Sequence, residues 1–169
     1  MSVLTIVTLG DPRLRMPGEP VRRFDKMLGR LIDDMIETMR DAPGVGLAAQ
    51  QVGLPVQLCV IEVEGDLFEL ANPRILHTAG EQTDYEGCLS IPGYYAERTR
   101  PAHATVEGYN RRGRLFRVSG TELLARAIQH EFDHLLGELF VDRLPAGTEM
   151  VPVARLRAMH EAEELAESA

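Results

Sequence analysis

Apolar positions three and four residues apart mark two helices in this chain, and stretches of alternation between them mark strands. From Ser119 to Gly137, Leu123, Leu124, Ala127, Ile128, Glu131, His134 and Leu135 recur on one helical face. Ser119 fits an N-cap with Glu122 at the third helical position, and Gly137 fits a C-terminal stop. A second amphipathic run covers residues 25–40, with Asp25 as its cap, Met27, Leu28, Leu31, Met35 and Met39 as its apolar face, and Pro43-Gly44 ending it. Residues 56–63 and 68–71 read as strands around Glu64-Gly65-Asp66, and 102–109 pairs with 114–118 across Asn110-Arg111-Arg112-Gly113. Together these predict an α+β fold, with mostly antiparallel strands packed around a central metal-binding α-helix.

That helix carries the chemistry. Its residues His130-Glu131-Phe132-Asp133-His134 form a His-Glu-x-x-His pattern, and positions i and i+4 lie on one face, so two imidazoles reach one ion with a carboxylate beside it. A catalytic site of this kind needs a third protein ligand and an open position for water. A third histidine three residues after Gly137 would supply it, but Phe140 stands there, and Glu161, Glu163 and Glu164 belong to a polar run that reads as a solvated face. The better candidate is Cys88, in Glu86-Gly87-Cys88-Leu89-Ser90-Ile91-Pro92, which reads as an extended loop between Gly87 and Pro92. Its thiolate with two imidazoles makes a tetrahedral donor set. Cys59, within an apolar strand, reads instead as a buried free thiol.

Three blocks, Gly44-Val45-Gly46-Leu47-Ala48-Ala49-Gln50-Gln51, Glu86-Gly87-Cys88-Leu89-Ser90 and Gln129-His130-Glu131-Phe132-Asp133-His134, occur in the order and approximate spacing of peptide deformylases. Similarity in Gly10-Asp11-Pro12-Arg13-Leu14-Arg15 and Ala71-Asn72-Pro73 extends the resemblance over most of residues 4–145. The resemblance implies a metal-dependent amidase that removes the formyl group from the formyl-methionine of newly made polypeptides. It implies Cys88, His130 and His134 as ligands of one divalent ion, Glu131 as general base, and the Gln51 side-chain amide with the Leu89 backbone N–H as oxyanion donors. Gly46 would meet the substrate backbone, and the resemblance makes Fe(II) the expected native ion. A Cys/His/His set also accepts Zn(II), Ni(II) or Co(II).

The remaining residues refine this picture. Leu123 and Ala127 share the His130 face of the helix, and Val45 and Ile91 flank the two loop blocks, which predicts a narrow apolar pocket for an unbranched side chain. Asp133 reads either as an orienting partner for a histidine or a neighbouring cationic side chain, or as a scaffold ion pair, and Arg126 either as its partner or as a residue of the pocket mouth. With 169 residues and 44% hydrophobic content the chain suits one catalytic domain with a polar, helical tail from about residue 148. Two cysteines make no disulfide framework, and the N-terminus lacks a basic segment followed by a long apolar one, so a cytoplasmic protein is expected. A net charge of −8 argues against an extended nucleic-acid surface and a DNA partner, and no run is apolar enough for a membrane span. Arg111, Arg112, Arg114 and Arg117 form a candidate transient contact to the ribosome, although a solvated hairpin is the simpler reading. Nothing in the sequence sets an oligomeric state.

Overall fold

The computed structural model describes residues 1–168. Helix α1 (Lys26–Asp41) is followed by β1 (Gly46–Ala48), β2 (Leu58–Val63), β3 (Asp66–Ala79), β4 (Gln82–Cys88), β5 (Ile91–Arg100), β6 (His103–Tyr109) and β7 (Leu115–Thr121). Helix α2 (Glu122–Leu135), the two-residue strand β8 (Val151–Pro152) and helix α3 (Val153–Glu167) complete the chain. Five strands form one antiparallel sheet in the order β1-β2-β3-β6-β7, and β4-β5-β8 form a second.

The larger sheet lies between two helices, and the period-two alternation of β2 explains how. Leu58 and Val60 pack with Ile32, Met35 and Met39 of α1, whereas Cys59 and Ile61 pack with Ala125, Ile128 and Leu135 of α2. Strand β1 is the edge of this sheet and carries the Gly46-Leu47-Ala48 segment beside α2. Among the described residues no helix is long and apolar enough to cross a membrane.

Four local expectations are corrected. Ser119 does not cap α2: the β6–β7 ladder runs on to the pair His103–Thr121, and the Ser119 hydroxyl lies 2.7 Å from that of Thr105 across it. Sheet pairing has overridden a local capping signal, and Thr121 starts the helix without a side-chain cap. Met27 is 71% exposed: Asp25 caps α1 as expected, accepting from the Leu28 N–H at 3.0 Å, but the buried face runs through Leu28, Ile32, Met35, Ile36 and Met39 and leaves Met27 off it. Strand β3 spans Asp66–Ala79, well beyond 68–71, by crossing Asn72-Pro73 at a register shift between Ala71 and Arg74. Asn72 takes a positive φ of 49°, a conformation asparagine tolerates, and its side-chain amide bonds both backbone groups of Val21. Finally, Cys88 is not in a loop but ends β4, in a hairpin with β5 that places it opposite Ile91.

Candidate metal centre

His130 and His134 project from successive turns of α2, with their Nε2 atoms 3.2 Å apart. Cys88 approaches from the other sheet, its Sγ 3.3 Å from His134 Nε2, and the three donor atoms all lie within 4.8 Å of one another. The end of β4 delivers Cys88 by a register break: Gly87 faces Tyr95, but Cys88 faces Ile91 across the Leu89–Ser90 turn. Gly87 is required there, since a Cβ would press on the Tyr95 ring at 2.7 Å from Cδ1 and 2.9 Å from Cζ.

The donor set fits a tetrahedral divalent cation. Bonds of about 2.0 Å to nitrogen and about 2.3 Å to sulfur put donors roughly 3.3–3.6 Å apart, close to the 3.2 Å between the two histidine nitrogens and the 3.3 Å from Cys88 Sγ to His134. Two imidazole nitrogens at 3.2 Å would repel if both presented lone pairs to an empty centre, and an ion between them removes that conflict.

His130 is oriented by Glu86, whose Oε2 is 2.7 Å from His130 Nδ1; with the ring proton on Nδ1, the Nε2 lone pair faces the cluster. Arg100 donates to both oxygens of Glu86 at 2.7 and 2.8 Å, and Arg126 donates to Oε1 at 2.8 Å. Burial raises the Glu86 carboxyl, but its hydrogen bonds to Arg100 and His130 outweigh this and hold it well below the usual carboxylate range. Arg126 also donates to the Arg98 carbonyl, while Asp133 accepts from Arg100 at 3.0 Å and from Arg98 at 3.4 Å. Asp133 pairs with two cationic side chains of β5, one of which, Arg100, also holds Glu86; Arg126 is not its partner but borders the cleft and holds Glu86. Glu86, Arg98 and Arg100 carry roles that the sequence reading missed.

Glu131 sits between the histidines in sequence and is 3% exposed. Its Oε2 is buried without a hydrogen-bond partner among the described residues, and burial pushes the carboxyl up to about 7. Gly46 packs against it so closely that a Cβ would fall on the carboxylate. Gln51 is buried and fixed at both ends: its Oε1 accepts from the Ala48 N–H at 3.0 Å, and its Nε2 donates to Ser90 Oγ at 3.1 Å and lies 3.6 Å from Cys88 Sγ. Ser90, fully buried, is a further positioning group not singled out from sequence. Leu89 occupies the turn after Cys88 and packs on Gly44, where a Cβ would come 2.8 Å from its Cδ1.

Gly46, Gln51, Cys88, Leu89, His130 and Glu131 border one cleft of about 660 Å³, with His134 and Ser90 buried behind it. Val45 and Leu123 form its exposed rim, while Ile91 and Ala127 are buried in its wall. Cys59 is elsewhere, packed between β2 and α2, where burial pushes its thiol well above the usual range. The centre thus has a soft three-donor set, an unpartnered buried carboxylate, an oriented amide and apolar walls.

Residues 3–149 match the family described as polypeptide deformylase. The chain is 53% identical over 144 residues to a peptide deformylase of Heliobacterium modesticaldum, covering 85% of this chain and 95% of that protein. It is 46% identical over 163 residues to one from Acidothermus cellulolyticus, covering 96% and 89%. Among solved structures, a Synechococcus elongatus peptide deformylase in complex with actinonin superposes with a TM-score of 0.83 at 46% identity, covering 85% of this chain and 80% of that one. A peptide deformylase from Legionella pneumophila gives a TM-score of 0.82 at 40% identity, covering 98% and 96%.

Proposed function

Because the chain belongs to the peptide deformylase family, whose members are metal-dependent hydrolases that remove the N-formyl group from formyl-methionine at the start of new polypeptides, we propose specific roles for its own residues. Cys88, His130 and His134 hold the divalent ion, and Glu131 is the general base. The observation that carries this reading is the buried, unpartnered Glu131 Oε2 beside the three-donor cluster.

A formamide is a weak electrophile with a poor leaving group, so hydrolysis needs an activated water, oxyanion stabilisation and protonation of the departing nitrogen. A divalent ion held by Cys88, His130 and His134 would supply Lewis acidity for the formyl carbonyl and for the attacking water. Glu131 takes the proton of the attacking water and returns it to the nitrogen as the C–N bond breaks, which leaves formate and a free N-terminal amine. The Gln51 Nε2 and the Leu89 N–H donate to the carbonyl oxygen as it gains charge; each donor is worth about 3–4 kcal/mol in the barrier. The Oε1 bond to Ala48 supports this role, because it turns the donor end of Gln51 toward Cys88.

Gly46, the first residue of edge strand β1, and Val45 just before it border the cleft where an extended peptide backbone would lie, and Ile91, Leu123 and Ala127 house the methionine side chain. The native ion in this proposal is Fe(II), with Zn(II), Ni(II) and Co(II) compatible with the same donors; anaerobic purification with elemental analysis distinguishes them. The whole chain acts as one cytoplasmic catalytic domain with α3 as its polar tail. For a transient ribosome contact, Arg112 and Arg114 are the candidates on the β6–β7 turn, since Arg111 is bound by Asp33 and Glu69, and Arg117 lies 3.5 Å from Glu107. Formate release from formyl-Met-Ala-Ser without acetate release from its acetylated analogue tests the assignment; equal release from both would refute it.

A further inference from the structure

One wall of the cleft carries a charge that none of the roles above uses. Arg157, in the second turn of α3, borders the same cavity as Cys88, His130 and Glu131. It lies downstream of the segment that carries the family match. The start of α3 is anchored: Val151 and Pro152 pair with Tyr95 and Tyr94, and Leu156 is buried. Arg157 directly follows that anchor, so its side chain leaves the helix where the helix is held against the β5 wall.

The other charges on the cleft are spent. Glu86 and Arg126 bind each other at 2.8 Å, and His130 and Glu131 belong to the reaction centre. Arg157 is exposed and makes no ion pair among the described residues. A protein of net charge −8 thus presents one unneutralised positive charge beside the path of its substrate. An extended peptide advances about 3.3 Å per residue, so three residues after the methionine would span about 10 Å of a cleft whose lining includes Val45, Tyr94 and Tyr95.

We propose that Arg157 is a specificity-determining residue that favours an acidic side chain at the second, third or fourth position of the formylated polypeptide. This rests on the cleft being the formyl-peptide site. The pair would be solvent-exposed, so it acts mainly on substrate affinity and is weakened by salt.

The test uses the metal-loaded enzyme and formyl-Met-Ala-Ala-Ala-Ser peptides in which Asp or Lys replaces the second, third or fourth residue, with kcat/KM measured by formate release. The expected Asp-to-Lys ratio at one position is about two- to fivefold in low salt, appears in KM rather than kcat, and falls toward unity at about 0.5 M salt. Arg157→Glu inverts the ratio. Arg155→Glu makes the same charge change on the same helix, away from the cleft and at a residue paired with Glu149, and leaves the ratio as in the parent. A ratio of unity at all three positions, with the all-alanine peptide still cleaved, would refute the role of Arg157 alone. An equal shift from Arg155→Glu would also refute it. No cleavage of the all-alanine peptide would overturn the cleft assignment as well.

Discussion

Gly46→Ala tests whether the backbone of β1 sets the position of the Glu131 carboxylate, the proposed base. A Cβ at Gly46 would come 2.8 Å from Glu131 Cδ and 2.9 Å from Cγ, and closer still to Oε1. Ordinary carbon–carbon contact begins at about 3.5 Å, so the carboxylate must retreat by about 0.7 Å or more. Gly46 is not among the glycines with positive φ, so alanine meets a steric conflict rather than a forbidden backbone. Glu131 is 3% exposed and the edge strand beside it is paired to β2, which leaves the carboxylate to move toward the cleft. Overpacking of this size costs about 1–3 kcal/mol of stability, and a displacement approaching 1 Å of a reacting group costs about 100-fold in rate. The three atoms nearest the new methyl all belong to Glu131, not to Cys88, His130 or His134. The variant should therefore bind metal near stoichiometrically, melt about 2–10 °C lower, and lose about 10- to 100-fold in kcat on formyl-Met-Ala-Ser. These are read by elemental analysis, thermal unfolding and formate release on one preparation. A kcat within twofold of the parent, in protein that is folded and metal-loaded, would refute the claim that Gly46 positions Glu131.

Four further outcomes test other parts of the site. Glu131→Gln should keep its metal and lose most turnover, and metal loss in that variant would sink the base assignment. Cys88→Ala should weaken metal retention while Cys59→Ala should not, because only Cys88 borders the histidines; equal retention in dialysis against a chelator would contradict this. Glu86→Ala leaves Arg100 and Arg126 buried without their shared acceptor, so it should cost about 3–5 kcal/mol in denaturant unfolding and weaken metal affinity about 10- to 100-fold; an unchanged metal affinity would show that the His130 bond is incidental. Norleucine in place of the substrate methionine should be tolerated, whereas formyl-Asp should lose about 2 kcal/mol or more in kcat/KM, and comparable values would disprove an apolar side-chain pocket.

How much of this centre could be read along the chain depends on the distance over which each signal acts. The two histidines and Glu131 fall within five residues on one helix, so helical geometry alone brings them together. Cys88 required a chemical argument, and its strand went unseen because Gly87 and Pro92 imitate a loop while the pairing that makes β4 and β5 a hairpin is tertiary. Ser119-Gly-Thr-Glu122 satisfies a capping pattern locally, but seven consecutive β6–β7 pairs hold Ser119 and Thr121 in the ladder and outweigh one side-chain cap. Glu86 is the deepest omission, since it lies 44 residues from the histidine it orients and no local periodicity links them. A trace of it was still present. In β5 the buried parity runs through Ala96, Arg98 and Arg100, so two arginines face inward, and a buried guanidinium demands a carboxylate or carbonyl. On the partner strand, Glu86 shares the inward side as the register mate of Ala96. Once β4 and β5 are paired, the alternation in β5 calls for a buried acid on β4, and that acid, Glu86, is the group through which the second sheet orients His130 on the helix of the first.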